Sequence, residues 1–162
     1  MKKNLIILLA SLFIALSSFG QNIYNVNFIA DTLKKNANAV IRFYNTSYKK
    51  VSKEKFITEV HYAITILNPN GKHAAELAVF YDRNTSVSDI KGYLFNEDGI
   101  LLNKLKSKNI LDYAANGAYS LFSDNRVKYY NPAVSTYPFT IEYKYTIENS
   151  GIIGFETWMP QK

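Results

Sequence analysis

Two histidines and no cysteine bound the chemistry open to this chain. Without Cys there is no thiolate nucleophile. His61 falls midway along an alternating stretch, and His73 follows the turn Asn68-Pro69-Asn70-Gly71. If residues 56–67 and 74–81 pair as strands, the two imidazoles can approach each other, with Glu59 and Glu76 as further ligands. A catalytic zinc takes about three protein ligands. This spacing matches no ligand motif, so the histidines read as two unrelated surface residues. No Gly-x-Ser-x-Gly elbow supports a Ser–His–Asp centre, and no glycine-rich loop is present to cradle phosphate.

The carboxylates give little more. Glu97 and Asp98 precede Gly99 in a turn, where Asp usually bonds backbone. Glu142 and Glu148 share a face with Lys144 between them, the pattern of a solvated strand surface. Neither pair has the apolar surroundings that raise one pKa for acid catalysis. Asn45-Thr46-Ser47 and Asn84-Thr85-Ser86 fit the glycosylation pattern but read as ordinary loops.

One block mixes turn formers, a guanidinium and aromatic rings: Ser123-Asp124-Asn125-Arg126-Val127-Lys128-Tyr129-Tyr130. It fits a recognition loop for an acidic or sugar ligand. It also fits a tight turn in which Arg126 pairs with Asp124 and the tyrosines pack, and that structural reading is preferred. The candidate ligand or partner surface is Asp124, Arg126, Tyr129 and Tyr130, with Trp158 as a further aromatic. No cofactor and no metal site are expected.

The elements that must carry these residues are mostly strands. Phe56, Thr58, Val60, Tyr62, Ile64 and Ile66 share one face of a strand, with Ile57, Glu59, His61, Ala63 and Thr65 on the other. Phe139, Ile141, Tyr143, Tyr145 and Ile147 alternate in the same way with Thr140, Glu142, Lys144, Thr146 and Glu148. Such alternation marks one buried face and one wet face. Val87–Phe95 and Ile100–Leu105, joined by Asn96-Glu97-Asp98-Gly99, read as a hairpin. Large groups on both sides of Val40–Tyr44 suggest a strand covered on both faces or lying at a rim. Ala74–Tyr81 can return beside residues 56–67. Asn109–Ala115 reads as a helical turn broken by Gly117. Tyr119–Ser123 and Arg126–Tyr130 read as strand pieces. Thirteen tyrosines fit pleated, half-buried surfaces. The fold class is all-β, an antiparallel β-sandwich, with an open or closed β-barrel as the alternative.

Ahead of the strands stands a different kind of segment. Met1-Lys2-Lys3 is followed by an apolar run from Leu5 to Leu16, then Ser18-Phe19-Gly20. That is the layout of a secretory signal peptide cleaved after Gly20. The run is short for a spanning helix, which needs roughly 20 apolar residues. With no Cys after it, a bacterial lipoprotein is excluded. The expected product is exported, periplasmic or secreted, without a stable membrane span. Removing residues 1–20 of 162 leaves 142, enough for one domain with a real core. Losing Lys2 and Lys3 lowers the net charge from +6 to +4. With an export signal and scattered lysines, nucleic acid is not an expected partner. Residues 21–37 form a lead-in in which Phe28, Ile29 and Leu33 have helical spacing and Lys34-Lys35-Asn36 ends the turn.

Five motifs in order carry a family resemblance. They are Asn36-Ala37-Asn38-Ala39-Val40-Ile41-Arg42, the strand end Ile64-Thr65-Ile66-Leu67-Asn68-Pro69-Asn70-Gly71, Ser123-Asp124-Asn125-Arg126-Val127-Lys128, Tyr137-Pro138 and Trp158-Met159-Pro160-Gln161. Together they resemble the exported bacterial domain of unknown function 3857 (DUF3857), over about residues 30–161. The resemblance implies a β-sandwich-like domain of a larger envelope protein, commonly followed by a transglutaminase-like domain. It carries no catalytic residues over to this chain. It also implies that the domain over residues 38–162 is incomplete at its C-terminal end, leaving an open sheet edge. The expected function is a non-catalytic accessory or interaction module for a transglutaminase-like partner. The alternative is a binding module for envelope polysaccharide or peptide.

Overall fold

A computed structural model describes residues 23–115 and 124–150. The signal segment, the Tyr119–Ser123 strand piece, Gly117 and Trp158 with its motif lie outside the described residues. Among the described residues, eight strands run β1 (Ala39–Lys50), β2 (Lys55–Ile66), β3 (Leu77–Tyr81), β4 (Thr85–Phe95), β5 (Leu101–Lys104), β6 (Leu111–Ala114), β7 (Arg126–Tyr130) and β8 (Phe139–Ser150). A five-stranded sheet has the order β1-β2-β8-β4-β5 and a three-stranded sheet the order β3-β7-β6. Every pairing is antiparallel. The described strands form two sheets and do not close into a barrel, so the sandwich is the architecture.

The two cleanest alternating patterns find each other. β2 and β8 pair without a slip from Lys55 opposite Ser150 to Ile66 opposite Phe139. Residues directly opposite share a face, so this register puts Val60, Tyr62, Ile64 and Ile66 opposite Tyr145, Tyr143, Ile141 and Phe139. These side chains, with Leu77 and Val79 of β3, form the core between the sheets. The Tyr143 hydroxyl crosses that core and donates to the Ala75 carbonyl at 2.8 Å.

Ala74–Tyr81 does not return beside β2. The place next to β2 is taken by β8, whose twelve-residue pattern matches it. Pro69–Ala75 instead forms a 3-10 segment, capped by the Asn68 side chain, that carries the chain to the second layer. There β3 pairs with β7. Gly71 serves this crossing by close approach rather than by a positive φ: a Cβ there would overlap the Asn38 carbonyl oxygen. That oxygen already accepts from Leu67 N at 2.9 Å.

The hairpin of β4 and β5 forms as expected, with Gly99 at φ 75°. Asn109–Ala115 is not a helical turn. The 3-10 turn is Ser107–Asn109, and Leu111–Ala114 is strand β6, because β7 offers it a ladder. β1 is the outer strand of the large sheet, the rim position, and its second half is exposed.

The lead-in holds a 3-10 turn (Val26–Phe28) and a single helical turn, α1 (Asp31–Lys34). Of the three residues with helical spacing, only Ile29 is buried; Phe28 and Leu33 are exposed. A one-turn helix has no room for a stripe, so the segment is fixed by polar contacts. Arg42 donates to the carbonyls of Ile23 and Asn25, and Val26 N donates to Glu97 O at 2.9 Å. Asn36 ends the lead-in with φ at 62°, a conformation Asn tolerates well.

Candidate functional site

The three-stranded sheet gathers a cluster of polar side chains. In β7, Arg126 and Lys128 lie on one face, and the register sets Tyr81 opposite Arg126 and Asp112 opposite Lys128. Asp112 is the hub. Both of its carboxylate oxygens accept from the Tyr81 hydroxyl at 2.7 Å. Arg126 Nη2 stands 2.9 Å from Oδ1 and Lys128 Nζ 2.9 Å from Oδ2. Arg126 Nε also donates to the Tyr81 hydroxyl oxygen at 3.0 Å, and Lys128 lies over the Tyr81 ring. The hydroxyl and the two cations hold the Asp112 carboxyl down from 3.8 to about 2.

Arg126 therefore pairs with Asp112 and not with Asp124, which is exposed just ahead of β7. Three bonded donors make Asp112 a fastening of β3, β7 and β6 rather than a base awaiting a proton. Its pKa sits below its unfolded value, so its stabilising effect is full above about pH 4 and is lost as pH falls towards 2. Asp112→Asn is expected to lower the melting temperature at neutral pH. Melts recorded across that acid range should show the gap between variant and parent closing.

A second hub is Glu76. The Tyr129 hydroxyl donates to it at 2.9 Å, and His73 Nδ1 lies 2.9 Å away. The Tyr129 hydroxyl, then His73, lower the Glu76 carboxyl. His61 lies elsewhere, on the outer face of the large sheet, with Nε2 2.5 Å from Glu142. The histidines thus serve separate carboxylates, because β2 and β3 belong to different sheets. Glu59 stands opposite Ser47 and Thr146, away from Glu76. Among the described residues, no group of three or more His, Cys, Asp or Glu side chains could hold a metal ion.

Glu142 is not a solvated strand carboxylate. Its side chain is only 15% exposed, lies against His61 and takes part in a hydrogen bond with Tyr24 of the lead-in. Burial and this carboxylate push the Tyr24 phenol well above its usual range. Glu148 pairs with Lys55 at 2.6 Å.

Tyr129 and Tyr130 do not form one exposed patch. Tyr130 turns its ring edge towards Tyr143 in the core, while Tyr129 sits beside Tyr113. Both help line a cleft of about 450 Å³ between the sheets. Its floor includes Leu94, Leu105 and Ile141, and Asn103, Asn109 and Asn131 line it with their amides. Tyr93 and Lys104 line it too, but the register puts their side chains on the outer face of the sheet, with the Lys104 ammonium over the Tyr93 ring. The Tyr129 and Tyr130 rings and the amides make a surface for binding polar chains. The residues that sequence reasoning missed are Asp112, Tyr81 and the Asn rim. Asp112 opposite Lys128 becomes visible once Leu111–Ala114 is recognised as a strand.

A family model described as a Domain of Unknown Function, DUF3857, matches residues 36–160. A comparison with curated proteins found no match. Among solved structures, this chain is similar to a protein of Parabacteroides distasonis ATCC 8503 described as a "putative protease". The identity is 12% and the TM-score 0.61, over 70% of this chain and 23% of that one. At that identity the likeness is one of fold. The chain spans about a quarter of the length of the solved protein it matches.

Proposed function

Because this chain belongs to the DUF3857 family, whose function is unknown, we propose that it is a non-catalytic module of an exported cell-envelope protein. It packs against, or presents substrate to, a transglutaminase-like partner. The observation behind this reading is that a similar fold, matched over 70% of this chain, takes up 23% of a longer solved chain described as a "putative protease". A sandwich of this kind therefore occurs as one part of a larger protein. The engaged carboxylates agree with a module role: Asp112, Glu76, Glu142 and Glu148 are each bonded to a neighbouring element.

Calorimetric titration of the protein with a purified transglutaminase-like protein tests this. Saturable binding with altered turnover of the partner is expected. No heat and unchanged turnover would overturn it.

The cleft favours a second reading, a binding module for envelope polysaccharide or peptide. Asn103 and Asn131 are better probes than Tyr130, which packs against the core. Retention on peptidoglycan, reduced in Asn103→Ala, would support it.

A further inference from the structure

The cleft lies where both sheets end. β5 is the last strand of the large sheet and β6 the last of the small one, with only the Ser107–Asn109 turn and its flanks between them. Among the described residues, neither has a second strand neighbour. Every residue of both strands is exposed, including Leu101, Leu102, Leu111 and Tyr113. Leu101 and Leu102 point to opposite faces of β5, so apolar side chains stand exposed on both sides of an open edge, as they would beside an added strand.

The same side is basic. Lys104, Lys106 and Lys108 stand along it; among the described residues none is in an ion pair, and Lys104 lies over the Tyr93 ring. The nearby Asp112 is held by Arg126 and Lys128.

We propose that this seam receives an extended acidic segment of a partner protein as an added strand. Its apolar side chains enter the 450 Å³ cleft and its carboxylates meet Lys104, Lys106 and Lys108. The proposal rests on the reading of the chain as an interaction module and names the partner's chemistry. A peptide fits better than a glycan because a strand edge offers main-chain donors and acceptors at the repeat of another strand. A second copy of this chain fits badly, since lysines would face lysines.

Selection of a random phage-displayed peptide library on the protein tests this. Enriched peptides should alternate apolar and acidic residues. Bound, they should slow amide exchange at Leu101–Lys104 or Leu111–Ala114. Combined Lys104→Glu, Lys106→Glu and Lys108→Glu should weaken them about tenfold, as expected for a few surface ion pairs. Methylating the peptide backbone should abolish binding. The proposal is overturned if no saturable binder emerges, if binders survive both changes, or if only chitotetraose or peptidoglycan fragments protect these strands. A transglutaminase-like partner that binds the charge-reversed protein unchanged would spare the module reading and overturn the seam.

Discussion

Ile141→Asp is expected to abolish the folded domain. Ile141 is 2% exposed and sits opposite Ile64 on one side and Leu94 on the other, at the centre of the large sheet. Its burial contributes about 1.5–3 kcal/mol. An unpaired carboxylate at the same place adds a desolvation penalty of at least that size. A domain of this length has a total stability of about 5–15 kcal/mol. The combined loss takes most of it. Near-ultraviolet circular dichroism and thermal melting check the outcome, with Ile141→Val, expected to cost about 1 kcal/mol, as the reference. An Asp variant that melts with the parent would show that the inner face of β8 is wrongly identified.

Gly71→Val should have the next largest effect. A Cβ at this buried position overlaps the Asn38 carbonyl oxygen, which already holds Leu67 N. The side chain cannot enter without parting the 3-10 segment from the start of β1. Overpacking of this kind costs about 1–3 kcal/mol, more when backbone must move. Gly99→Ala tests a different demand, the positive φ of a hairpin turn, and should cost about 1 kcal/mol. Melting temperatures should therefore fall in the order Gly99→Ala, then Gly71→Val. The reverse order would mean that the crossing between sheets yields more easily than the turn.

The centre of the large sheet was legible because β2 and β8 are long and carry a large side chain at every second position of the core face, which dictates both element and pairing. The opposite face was expected to be wet, yet Ala63, Thr65 and Thr140 are buried on it. The small sheet was not legible. β6 has four exposed residues and no periodicity to declare it; only its ladder with β7 makes it a strand. Missing β6 hid Asp112, and Asp124 stood in for it as the partner of Arg126. The same weakness sent Ala74–Tyr81 to the wrong neighbour. Leu77 and Val79 announce a buried face without saying which sheet it belongs to. Within the candidate surface, Arg126 and Tyr129 prove to be polar partners and Tyr130 a core contact. Trp158 lies outside the described residues.

The unbroken β2–β8 pairing also governs when the protein can fold. Its two members are separated by residues 67–138, and β8 fills the gap between β2 and β4. Until β8 has been synthesised, the β1–β2 hairpin and β4 have no central strand to join them. Folding awaits closure of a very long loop, the kind of topology that folds in milliseconds to seconds rather than microseconds. A chain handled while it is still growing would present Val60, Tyr62 and Ile66 uncovered, so the central register makes early folding a matter for whatever holds the nascent chain.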